Sequence, residues 1–149
     1  MSESSVPVQA THRYSAAAER VFNAWLDPVL IGQFMFGPRL REEEVLRLNV
    51  DARVGGAFSF VVRRGESTID HVGTYQVIER PRRLGFTWGV AGQSQDESHV
   101  LIEIVPLADG CELTLTHHLP ARWADYAART QLAWSLMLNA LAEVVAPPT

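Results

Sequence analysis

The C-terminal stretch ARWADYAARTQLAWSLMLNALAEVV, Ala121 to Val145, decides how this chain must fold. Trp123, Ala127, Thr130, Trp134, Leu138, Leu141 and Val145 recur at helical spacing and form one stripe. Arg122, Asp125, Arg129 and Glu143 lie largely off that stripe, and Pro147-Pro148 close the segment. At 1.5 Å per residue the span predicts a helix about 37 Å long. No other helical pattern in the chain approaches that length. The stripe therefore has no partner helix and must be buried against the apolar face of a sheet.

Upstream of the helix the period changes to two. Leu113 and Leu115 alternate with Glu112, Thr114 and Thr116, and Val100, Ile102 and Ile104 form one side of a strand. Leu84, Phe86 and Trp88 alternate with Arg83, Gly85 and Thr87; Phe58, Phe60 and Val62 with Ala57, Ser59 and Val61; Leu46, Leu48 and Val50 with Arg47, Asn49 and Asp51. Ile69, His71, Gly73, Tyr75 and Val77 share one strand face, and Val72, Thr74, Gln76 and Ile78 the other. This is a one-faced antiparallel sheet. Its turns, RRGES, ERPR, VAGQSQ and LADG, are short enough for successive strands to pair as a meander. Farther upstream, Val8 to Tyr14 reads as a first strand. SAAAERVFNAWLDP reads as a short helix with Ser15 as N-cap, and VLIGQFMF as a second one that ends at Gly37-Pro38. The expected class is α+β: a strand, two short helices, six strands and one long helix. A single helix laid across seven strands forces the sheet to curve, and Gly55-Gly56 and Gly73 sit where bends or close approaches are needed.

Length and composition narrow the function classes. A chain of 149 residues predicts one domain spanning 1–149, with its core over about 8–145. Apolar runs are too short to span a membrane, and a lone cysteine allows no internal disulfide. MSESSVPV has neither the basic nor the apolar region of a signal peptide, so a cytoplasmic location is expected. The net charge is −4 with scattered basic residues, which argues against nucleic acid, whose phosphates require a dense positive face. Arg63-Arg64 and Arg80 with Arg82-Arg83 read as solvated turn residues. A free sheet edge would admit a homodimer.

In order along the chain, SAAAERVFNAWLDP, DARVGGAFSFVVR, HVGTYQVIERPRRLGFTW, CELTLTHHLP and LAWSLMLNALAEVV resemble one family. It comprises proteins similar to the C-terminal domain of the activator of the heat-shock-protein-90 ATPase. That family lies within the START-like, SRPBCC superfamily, beside birch pollen allergen relatives and polyketide cyclases. The resemblance runs from about Val8 to Val145 and implies the helix-grip fold with a cavity between sheet and long helix. It also implies a stress-linked co-chaperone role. The eukaryotic activator uses a separate large N-terminal domain to engage the chaperone, for which 149 residues leave no room, so a chaperone partner is the weakest expectation. Met35-Phe36-Gly37-Pro38 stands where the family often has Trp-Trp-Gly-Pro, and Ala133 where it has Gly before a helical Trp.

Candidate site residues follow from strand parity. His71 shares a face with Tyr75, and His117 continues the parity of Leu113 and Leu115, so both point toward the helix. In a meander they lie at the same end of the sheet, together with Trp88. The expected ligand is a small hydrophobic or amphipathic molecule, contacted by Phe34, Phe58, Phe60, His71, Tyr75, Phe86, Trp88, Ile102, Leu115, His117, Trp134 and Leu138. The same aromatics are equally consistent with a closed core. Two imidazoles could orient a ligand, or act as general acid and base in a cyclase- or hydratase-type enzyme. The non-enzymatic reading is favoured, because no nucleophile or carboxylate accompanies either His at telling spacing. No cofactor is expected and no metal either, since His117 and His118 are adjacent on a strand and face opposite sides. Cys111 has the parity of Leu113 and reads as a small packed residue.

Overall fold

The computed structural model describes residues 5–37, 40, 42–92 and 98–145. Pro38, the turn residues 93–95 and Pro147-Pro148 lie outside the described residues. Seven strands form one sheet: β1 (Ser5–Tyr14), β2 (Glu44–Val50), β3 (Ala57–Arg64), β4 (Ser67–Glu79), β5 (Arg83–Val90), β6 (Ser98–Leu107) and β7 (Gly110–Pro120). Every neighbouring pair is antiparallel, in the order β1-β7-β6-β5-β4-β3-β2. The expected meander thus runs from β2 to β7, and β1 closes onto β7. Because β1 and β2 occupy opposite edges, the helices between them, α1 (Ala18–Ala24) and α2 (Pro28–Phe34), carry the chain from one edge of the sheet to the other.

The caps differ from expectation. Ala17, not Ser15, is the N-cap of α1 and makes no side-chain capping bond. Asp27 instead caps α2, its Oδ1 accepting the Val29 N–H at 2.9 Å, with Pro28 in the first turn where its missing donor costs nothing. Val21, Phe22, Trp25 and Leu26 around α1 and Ile31 and Phe34 of α2 are buried, as their spacing predicts.

Two register shifts break the strict alternation. Between Tyr75 and Val77 the β4–β5 ladder slips, so Val77 pairs with Gly85 and Ile78 with Leu84. Ile78 then packs on the core and Val77 turns outward, which reverses the expected faces at the end of β4. Between Val45 and Arg47 the β2–β3 ladder slips as well. Val45 takes the inward place and Leu46 is left 43% exposed. Replacing Leu46 by Ser is therefore expected to change stability by no more than about 0.5 kcal/mol in urea unfolding, whereas an inward Leu46 would make the loss several-fold larger.

The long helix is shorter than its periodic stretch. Ala121–Tyr126 winds as a 3-10 turn, with Trp123 at φ −101°, ψ 17°, and α3 occupies Ala127–Val145. Pro120, at the end of β7, cannot donate a backbone hydrogen bond, and the chain turns there from the strand onto the concave face. The burial pattern explains the rest. Trp134, Met137, Leu138, Ala140, Leu141 and Val145 are buried, while Trp123, Ala127 and Thr130 are only half-buried. The C-terminal part of α3 is seated near β1 and α2, and the Tyr14 hydroxyl in β1 donates to the Leu138 carbonyl at 2.9 Å. The N-terminal part stands away from the sheet.

Gly73 marks the close approach that its position predicts. A Cβ there would lie 2.0 Å from the Thr87 carbonyl oxygen and 2.4 Å from the Phe58 ring. The missing side chain lets Phe58 lie over β4, beside Phe60 at 4.7 Å, Tyr75 at 5.4 Å, Phe86 at 5.6 Å and Trp88 at 5.8 Å between ring centroids. At this point the Thr87 hydroxyl oxygen accepts the Thr74 N–H at 2.9 Å.

Candidate functional site

Where the first turns of α3 stand off the sheet, a cavity of about 630 Å³ opens. Its sheet wall is built from Arg64, His71, Trp88 to Val90, Ser98, His117 and Leu119, and Phe36 follows α2 into the same wall. The opposite wall is Trp123, Tyr126, Arg129, Thr130, Ala133, Trp134 and Met137. The lining is mostly apolar and aromatic, with few polar groups, which is the composition of a small-molecule site.

Of the residues expected to contact a ligand, the structure brings His71, Trp88, His117 and Trp134 together on the cavity wall. Phe34, Phe58, Phe60, Tyr75, Phe86, Ile102, Leu115 and Leu138 are buried away from it, 4% exposed or less, in the packed core. Parity put the strand residues among them on the concave face, and helical spacing put Phe34 and Leu138 on apolar helix faces; neither could tell which part of the sheet α1, α2 and the seated end of α3 would cover. Arg64, Ser98, Trp123, Tyr126, Arg129 and Met137 are among the unforeseen lining residues. Ser98 had a signal, because it sits across the β5–β6 ladder from Trp88. Arg64 had none: its partner Glu43 lies 21 residues away in sequence.

His117 is fixed by a directional chain of hydrogen bonds. The Trp134 indole N–H, which can only donate, reaches His117 Nδ1 at 3.0 Å. The neutral ring therefore carries its proton on Nε2, which donates to Ser98 Oγ at 2.7 Å, and the Ser98 hydroxyl donates to the Trp88 carbonyl at 2.8 Å. Burial pushes the His117 pKa down to about 4, and the neighbouring His118 and His99 push the same way. This Ser–His pair is no nucleophile and base, since the imidazole has no free lone pair facing the hydroxyl. It ties α3, β7, β6 and β5 together behind the cavity.

His71 occupies the wall differently. Its ring is stacked on Trp88, 5.3 Å between centroids, and tilted against Phe36 at 5.1 Å. It presents an aromatic surface to the cavity, continuous with Trp88 and, 5.7 Å beyond, with Trp134. On the sheet side Arg64 Nε donates to Glu43 Oε1 at 2.6 Å, and Glu43 Oε2 accepts the Gly37 N–H at 2.7 Å. That carboxylate is fully buried, so its charge is matched where it lies. Cys111 is buried away from the cavity, and burial raises its thiol pKa, which suits packing and not reactivity. Among the described residues no cluster of His, Cys, Asp or Glu could hold a metal ion. No helix of the described residues is long and apolar enough to cross a membrane.

A family model described as "Activator of Hsp90 ATPase homolog 1-like protein" matches residues 15–146. The chain is similar to protein CV1439 from Chromobacterium violaceum at 25% identity, over 95% of this chain and 98% of that one, with a TM-score of 0.81. The AHSA1-like protein from Aeromonas hydrophila, at 22% identity and a TM-score of 0.77, covers 94% of this chain and is itself covered over 92%. Protein SA2116 from Staphylococcus aureus, described as of unknown function, shares the fold at 15% identity with a TM-score of 0.82, over 96% and 94% of the two chains. A search of curated proteins gives no match.

Proposed function

Because the chain belongs to the family of Activator of Hsp90 ATPase homolog 1-like proteins and carries their helix-grip fold, we propose that it binds a small hydrophobic or amphipathic molecule between the sheet and α3. The observation that carries this reading is the cavity itself. About 630 Å³ lies behind aromatic walls at the one place where the helix stripe is only half-buried. Trp123 and Thr130 of the helix stripe line the cavity and are only half-buried, and an apolar ligand would complete their burial. Each Å² so covered is worth about 25 cal/mol before ordering costs.

The non-enzymatic reading is supported by the state of His117, whose ring has no lone pair left for acid–base chemistry. His71 adds its aromatic face to the cavity wall, stacked on Trp88 and tilted against Phe36. Thermal-shift screening and native mass spectrometry against lipids and aromatic metabolites test the proposal. A true ligand at about 100 times its Kd raises stability by about 2.7 kcal/mol and appears as a 1:1 adduct. If no compound in such a panel shifts the melting temperature or gives an adduct, the proposal falls.

A further inference from the structure

The cavity carries a charge contrast with the rest of the chain. Overall the sequence is acidic, with 17 Asp and Glu against 13 Lys and Arg. Yet two arginines, Arg64 and Arg129, line the cavity, and no described Asp or Glu does. Arg64 comes from the sheet side at the end of β3, and Arg129 from the helix side in the first turn of α3. Their states differ. Arg64 is already paired with the buried Glu43 carboxylate. Arg129 has no carboxylate partner among the described residues, and its guanidinium carbon lies 5.6 Å from the centre of the Tyr126 ring, itself a lining residue. Stacking on an aromatic face leaves the edge donors of a guanidinium free for an anion.

We infer that the ligand is an anionic amphiphile, an aromatic or alkyl body bearing a carboxylate or similar acid, with its charge at Arg129 and its body against Trp88, Trp134 and Met137. This rests on the binding reading above and adds the chemistry of the head group. The planar guanidinium matches a carboxylate bidentately. The head group stays at the half-open end of the cavity, so the acid keeps part of its hydration while the body is desolvated. A neutral body alone would leave Arg129 unmatched, and a cation would be repelled by it.

The test uses three matched probes on the whole chain by titration calorimetry: 2-naphthoate, 2-naphthylmethanol and 2-naphthylmethylammonium. Naphthoate is expected to bind at least about tenfold tighter than the alcohol, a difference of about 1.4 kcal/mol. Arg129→Gln should bring the acid-to-alcohol ratio below about threefold, and raising the salt should narrow the wild-type ratio. Arg64 is left in place, because removing it would strand the buried Glu43 charge. Equal binding of alcohol and acid, tighter binding of the ammonium probe, or a ratio that survives Arg129→Gln overturns the anion inference while the cavity reading stands. Saturation by none of the three probes at millimolar concentration overturns both.

Discussion

Replacing Phe58 by alanine is expected to cost about 3–5 kcal/mol of folding stability, measured by urea unfolding at neutral pH. The ring is 3% exposed and touches four other rings, those of Phe60, Tyr75, Phe86 and Trp88. Its other neighbour is Gly73, whose backbone cannot supply atoms to a void. Strands β3, β4 and β5 are cross-linked on both sides of the gap, so the sheet cannot close around it. The loss thus includes both the transferred apolar surface and an unrelaxed cavity. A loss under about 1 kcal/mol would mean that Phe58 borders open space, and that the ligand-accessible volume extends into what is described above as core.

The boundary between core and cavity is where sequence reading stopped. Alternation placed Phe58, Tyr75, Phe86, Ile102 and Leu115 on the concave face, and all are buried there. The same parity brought His71, Trp88 and His117 to one end of the sheet, where they line the cavity. What parity cannot supply is the second layer. The cavity lies at that end because α1 and α2 cross between opposite sheet edges and α3 seats only its C-terminal part, and those are long-range packing outcomes. Register slips are equally silent in the pattern: Leu46 and Val77 look inward until an extra residue in each strand turns them out. The family resemblance gave the fold over nearly the whole chain, in agreement with the match over residues 15–146, but it carried no information about Arg64, Ser98 or Arg129. Arg129 in particular reads as an exposed residue off the helix stripe. Only the stand-off of the first turns of α3 puts it at a cavity mouth.

The second large effect is expected in acid. With its pKa lowered to about 4 in the fold against 6.5 for an unperturbed imidazole, His117 binds its proton more readily when the chain is unfolded. Between those values the unfolded state holds more protons than the native state, so stability rises with pH across the window. The contribution is fully present above about pH 6.5, is lost progressively as the pH falls toward 4, and changes no further below it. A gap of this size corresponds to about 3 kcal/mol. The structural cause is explicit. A protonated ring has donors at both nitrogens, so Nδ1 would face the Trp134 N–H donor-to-donor inside a site that burial and the neighbouring His118 and His99 already make unfavourable to positive charge. Glutamine at this position retains the needed pair, an acceptor for Trp134 and a donor for Ser98, without a titrating group. Urea unfolding at pH 7, 5.5 and 4 should therefore show the wild-type chain losing about 3 kcal/mol more than His117→Gln, with the difference accumulating between pH 6.5 and 4. Groups shared by both proteins cancel in that difference. Parallel losses in the two proteins would show that the imidazole is not buried as a neutral acceptor, and the account of how α3 is tied to the sheet behind the cavity would fail with it.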